Sequence, residues 1–156
     1  MKTFFILFIF IIVSNFCSAR IVNLQNSFDN SNQIYSFYKD RDKKCPQILI
    51  FKKSGNEYYM LAKSAFRGSN YLSNLENAKI KINNQIFSQN YRIWDYDYNQ
   101  HFSFKFSDSM IKEISYANSI AFQLPVHINE DTLVGYYQFS IPPAVLDEWK
   151  QVIAME

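Results

Sequence analysis

A β-rich α+β domain, an antiparallel sheet or sandwich with only two helices, is the fold class this sequence predicts. Three observations lead there. Short apolar segments recur between polar turn clusters such as Ser54-Gly55-Asn56 and Asn83-Asn84. Aromatic residues favoured in strands are abundant, with 15 Phe and 11 Tyr. Apolar residues at helical spacing occur in just two places, near 108–117 and near 142–154. A doubly wound fold would need helices alternating regularly with strands.

The chain opens on what reads as an export signal. Lys2 gives a positive start, and Phe4 to Val13 is an unbroken apolar run. Such a run suits a signal-peptide core, whereas a membrane-spanning helix needs about 20 apolar residues. The small residues of Cys17-Ser18-Ala19 predict cleavage after Ala19, leaving one β-rich domain over 20–156 in the periplasm or outside the cell. A lipid on Cys17 is the weaker alternative, because bulky Phe16 stands where a lipoprotein signal has a small residue.

Loss of 1–19 removes one basic residue, leaving 15 against 14 acidic ones. A balance so near neutral points to no strongly charged partner and argues against nucleic acid. The densest run, Lys39 to Lys44, mixes signs and reads as a solvated loop. Cys45 then remains as a lone cysteine beside Pro46, so no intramolecular disulfide is available, and a buried hydrophobe is its expected role. None of the 15 asparagines is followed two places later by Ser or Thr. The absence of glycosylation acceptors and the bias toward Asn, Ile, Lys, Phe and Tyr favour a bacterial source.

Along the chain, Arg20 to Gln33 reads as a polar lead-in or loose first strand, and Ile34 to Tyr38 as a strand. Ile48 to Lys53 and Glu57 to Phe66 form a hairpin around Gly55. Gly68-Ser69-Asn70 breaks the pattern. Ala78 to Ile82 alternates apolar residues with lysines before a tight turn at Asn83-Asn84, and asparagine tolerates the positive φ such turns require. Gln85 to Tyr98 is one long strand or two short ones. His101 to Phe106 places Phe102, Phe104 and Phe106 on one face. Ser107-Asp108-Ser109 offers N-caps for the first helix, which Asn118 stops. Ile120 to Val126, closed by Pro125, and Leu133 to Ile141 are further strands. Pro142-Pro143 opens the last helix, with Val145, Leu146, Trp149, Val152 and Ile153 as one apolar stripe over the sheet.

Few residues signal chemistry. Asp95-Tyr96-Asp97-Tyr98-Asn99 begins like a calcium loop, but the required glycine is Gln100 and the bidentate glutamate is Phe106. The two histidines, His101 and His127, are too few for a zinc site. The three glycines leave no phosphate-cradling loop, no G-x-S-x-G elbow occurs, and no cofactor is expected. Period-two alternation puts Trp94, Tyr96 and Tyr98 together, opposite Ile93, Asp95 and Asp97. Such a face either fills a β core, which the strand preference of aromatics favours, or presents rings with polar edges to a ligand.

The resulting expectation is a non-catalytic binding module for a protein or cell-envelope component, working through a sheet face or edge. Trp94, Tyr96 and Tyr98 are its candidate contact residues. Two alternatives stand beside it. One is a small envelope hydrolase using converging carboxylates among Asp95, Asp97, Glu113, Glu130 and Asp131, or Cys45 with a histidine. The other is a glycan-binding module acting through the same three rings.

Overall fold

The computed structural model describes residues 20–25, 32–39, 46–64, 70–96, 99–128 and 132–155, with the side chains of 24, 25, 32, 70, 95, 96 and 99 left aside. Its elements are, in order, β1 (Arg20–Gln25), β2 (Asn32–Lys39), β3 (Ile48–Ser54), β4 (Glu57–Lys63), β5 (Asn70–Leu72) and β6 (Ala78–Ile82). Then follow β7 (Gln85–Gln89), β8 (Arg92–Tyr96), β9 (Asn99–Phe106), α1 (Asp108–Ser115), β10 (Ile120–Ile128), β11 (Thr132–Ser140) and α2 (Pro143–Ala154). The strands form two antiparallel sheets, a six-stranded one in the order β1-β2-β3-β4-β9-β8 and a five-stranded one in the order β11-β10-β6-β7, with β5 also paired to β10.

The predicted α+β class, its antiparallel sheets and both helices are what the chain adopts. Hairpin geometry follows local chemistry. Gly55 takes φ +57° in a two-residue turn closed by Ser54 opposite Glu57, a left-handed conformation that glycine, lacking a Cβ, adopts without strain. Asn83 takes φ +51° at the β6–β7 turn. Its Oδ1 accepts from the backbone N–H of Asn118 at 2.8 Å and of Ser119 at 3.3 Å, which ties the exit of α1 to that turn.

The sheets meet through phenylalanines. Phe104 of β9 lies 5.4 Å from Phe122 of β10, Phe102 lies 6.0 Å from Phe139 of β11, and Phe122 stacks on Phe139 at 4.9 Å between centroids. The six-stranded sheet is the wider one, and α2 covers its inner face over β1, β2 and β3. Trp149, fully buried, stacks on Phe51 at 4.5 Å and tilts against Phe106 at 6.2 Å. Burying one such ring contributes about 1.5–3 kcal/mol. Ser36 of β2 donates to the Glu148 carboxylate at 2.8 Å, and burial holds that carboxyl above its ordinary range while the serine bond pulls the other way. The Ser107 hydroxyl accepts from the Met110 N–H at the start of α1, which packs Met110, Ile111 and Ile114 inward and meets α2. One contiguous cluster of buried residues draws on both sheets and both helices.

Several boundaries differ from the sequence reading. The polar lead-in contains β1 and the start of β2. Of the two readings of Gln85 to Tyr98, the two short strands are what forms, β7 and β8, but they lie in different sheets, joined by Asn90-Tyr91. β4 ends at Lys63, and the rest of its expected extension to Phe66 falls largely outside the described residues. The break at Asn70 is the start of β5. Pro125 does not close β10, which runs on to Ile128. It is tolerated because β6 pairs with Ile120 to Gln123 and β5 with Val126 to Ile128, so proline sits in the gap between them. There its carbonyl accepts from the Ser73 N–H at 3.2 Å, and the missing N–H would have no ladder partner.

Candidate functional site

A strand that packs on one face only should carry polar residues on the other. The outer face of the six-stranded sheet departs from that rule. Leu61, Ile50 and Phe37 line up across β4, β3 and β2, and Ile48 lies in the neighbouring row. Trp94 stands opposite His101 at the β8 end, their rings stacked 5.8 Å apart. Cations alternate with these side chains: Lys52 lies over the Tyr35 ring at 5.6 Å, and Lys105 over the Tyr59 ring at 5.9 Å. Arg20, Lys39, Lys63 and Arg92 occupy further outward positions by register. Glu57 is the carboxylate on this face among the described side chains, bonded by Lys105 and by the Tyr59 hydroxyl.

That clamp sets the local electrostatics. The Lys105 bond, with the Tyr59 hydroxyl second, holds the exposed Glu57 carboxyl below its ordinary value. The same carboxylate raises Lys105 and Tyr59 above theirs. Arg92 is in no ion pair among the described residues.

Beside Arg92 the face is recessed. The small side chain of Ser103 faces Arg92 directly across the β8–β9 ladder, with Lys105 two residues further along the same side. A hollow of about 360 Å³ opens above it, lined by Tyr59, Gln89, Asn90, Tyr91, Arg92, Ser103 and Lys105. Tyr91 is its post: buried, stacked on Phe104 at 5.3 Å, and donating its hydroxyl to the Ser73 carbonyl. Burial pushes that phenol far above its ordinary value, and the Glu76 carboxylate adds to the effect. The donors on the hollow are the Arg92 guanidinium, the Lys105 ammonium shared with Glu57, the Ser103 hydroxyl and two amides, while the Tyr59 hydroxyl, its proton given to Glu57, can accept; such a set holds oxyanions and hydroxyls.

The outer face of the five-stranded sheet carries a wider groove of about 680 Å³, among whose walls are Lys79, Lys81, Gln123, Gln138 and Ser140. Its outward positions mix these polar residues with apolar ones: Ile86 and Ala121 line the same groove, and Val134 and Tyr136 stand exposed further along β11.

Of the three candidate contact residues, Trp94 is 40% exposed on the outer face. The core reading therefore does not hold for it, while half-buried Ile93 packs inward against the core. The Tyr96 side chain and all of Tyr98 lie outside the described residues, as do Asp97 and the Asp95 side chain, so the calcium-like stretch does too. Cys45, Glu130 and Asp131 also lie outside them, and Glu113 is on α1. His101 and His127 belong to different sheets. His127 is buried opposite Tyr71 and Leu133, and neither ring nitrogen has a hydrogen-bond partner among the described residues. No group of three or more potential metal ligands occurs among the described residues. Arg92, Lys105, Tyr59 and Ser103 were not legible as a site, because only strand register brings them together.

Compared with known proteins, the chain matches no family model, no curated protein and no solved structure.

Proposed function

We propose that this chain is an exported, non-catalytic binding module, and that it engages a component of the cell envelope through the outer face of its six-stranded sheet. One observation carries the reading: Trp94 stands outside a core that is complete without it, next to a hollow rich in donors. Exposed aromatic residues ringed by polar groups are the usual anchors of binding surfaces. No helix among the described residues is long and apolar enough to cross a membrane.

The test is retention of the purified chain on isolated native envelopes. Trp94→Ala should weaken retention about 30-fold, the size of a binding hot spot. Its unfolding midpoint should stay close to that of the parent. Equal retention of parent and variant would sink the reading, and a variant that unfolds would return Trp94 to a structural role.

A further inference from the structure

We infer that the partner is an acidic glycan, its carboxylate groups received in the hollow over Ser103 and its sugar rings laid along the face toward Trp94. The inference rests on the binding reading above and names the chemistry of the ligand.

Charge distribution is the first argument. The chain as a whole is nearly neutral, yet the described outer face of this sheet holds Arg20, Lys39, Lys52, Lys63, Arg92 and Lys105 against Glu57 alone. Concentrating cations on one face produces a field that whole-chain charge conceals, and the matching partner is a polyanion. The second argument is the hollow. Arg92 is exposed and in no ion pair among the described residues, so its planar fork is available to take a carboxylate through two parallel hydrogen bonds. Lys105 is already shared with Glu57 and adds attraction at lower cost in ordering. The amides of Gln89 and Asn90 and the hydroxyls of Ser103 and Tyr59 line the same hollow and match the alternating donors and acceptors of sugar hydroxyls.

Ring placement separates a glycan from a single-stranded nucleic acid. Nucleic acids stack successive bases on successive rings. Here Tyr35 and Tyr59 are overlain by lysines, and the barer rings, Trp94 and Phe37, stand on β8 and β2. Three strands lie between those two, a separation of roughly 19 Å at about 4.8 Å per strand. That is too far for consecutive bases, whereas a chain whose acid groups and ring faces are spread along it needs only occasional aromatic contacts.

Calorimetric titration with oligogalacturonate, which bears one carboxylate per sugar, tests the inference. Saturable binding is expected, weakening several-fold as salt rises from roughly 50 to 300 mM. Arg92→Gln should lower the affinity tenfold or more, while the double change Lys79→Gln with Lys81→Gln on the other sheet should leave it unchanged. Neutral dextran of equal length should bind at least tenfold more weakly. No saturable binding, an unaffected Arg92→Gln variant, or equal binding of dextran overturns the inference. Tighter binding of a single-stranded oligothymidylate assigns the face to nucleic acid and overturns it as well. If oligogalacturonate fails while Trp94→Ala still releases the chain from envelopes, the acidic-glycan inference falls and the binding face stands. If Trp94→Ala changes nothing on envelopes, the binding face itself falls.

Discussion

The two faces of the six-stranded sheet are both rich in aromatic rings, but the rings keep different company. On the inner face Phe51 stacks on Trp149, and Phe104 lies against Tyr91 and Phe122. On the outer face Tyr35 and Tyr59 lie under lysines, and Trp94 lies beside a histidine. Even at the inner margin the pattern changes: Lys53 approaches the Tyr58 ring at 5.8 Å, and its ammonium also donates to the carbonyl of Met155, just past the end of α2. Ring on ring excludes water and supports the fold. Ring beside cation keeps the polar tips wet and closes no core, so aromatic rings on two faces need not contribute equally to stability.

The largest effect that can sharpen this contrast is a comparison of the two tryptophans. Trp149→Ala should destabilise the protein by about 3–5 kcal/mol in chemical denaturation, since a fully buried ring leaves a cavity. Trp94→Ala should cost below about 1 kcal/mol. Similar costs would erase the distinction between the faces. Adjacent residues of β4 give the next test. Met60 is fully buried and points inward, so Met60→Ala should cost about 2–5 kcal/mol. Half-buried Leu61 points outward, and Leu61→Ala should cost about 1 kcal/mol.

Titration offers two smaller tests. Glu148 has its pKa raised in the folded state, so the native protein holds a proton there that the unfolded chain has released. Stability should therefore fall as pH rises from the ordinary glutamate value of 4.5 through the raised one, and Glu148→Gln should flatten that segment of the stability curve. A segment unchanged in the variant would mean that another group is responsible. On the outer face, Glu57→Gln should change stability by no more than about 0.5 kcal/mol, as exposed ion pairs do. The same change should let the Tyr59 phenol ionise closer to its ordinary value of 10.0, readable by ultraviolet difference titration.

The contrast between faces also explains what could be read from the chain. Ala78 to Ile82 alternates cleanly because its inner residues are buried and its lysines face water, so its strand was legible residue by residue. The stripe on α2 was legible for the same reason, as four of its five residues are buried. The run Ile48-Leu49-Ile50-Phe51 carries apolar residues on both faces, which hides inside from outside, and Trp94 was ambiguous between core and surface because aromatic residues suit either face of a strand. β5 spans three residues and exists only by pairing with the far half of β10, so nothing local announces it. Pro125 misled because proline disrupts a ladder only where a partner strand stands opposite its nitrogen. The hollow over Ser103 is drawn from β4, the end of β7, β8, β9 and the Asn90-Tyr91 link, segments whose proximity follows largely from register.

The pairing of β4 with β9 rather than with the strand that follows it sets the order in which this molecule can assemble. β2, β3 and β4 join through successive hairpins and close short loops. Extending that meander to β9 brings together positions such as Glu57 and Lys105, which are 48 residues apart in the chain. The entropy of closing so long a loop must be spent before its contacts repay it, so this step and the still longer closure that pairs Asn70 of β5 with Ile128 of β10 should set most of the folding barrier. Until it happens, the inner edge of β4 is an open template for pairing with another chain. The binding hollow, which needs β8 and β9 in place, comes into being only when that exposure ends.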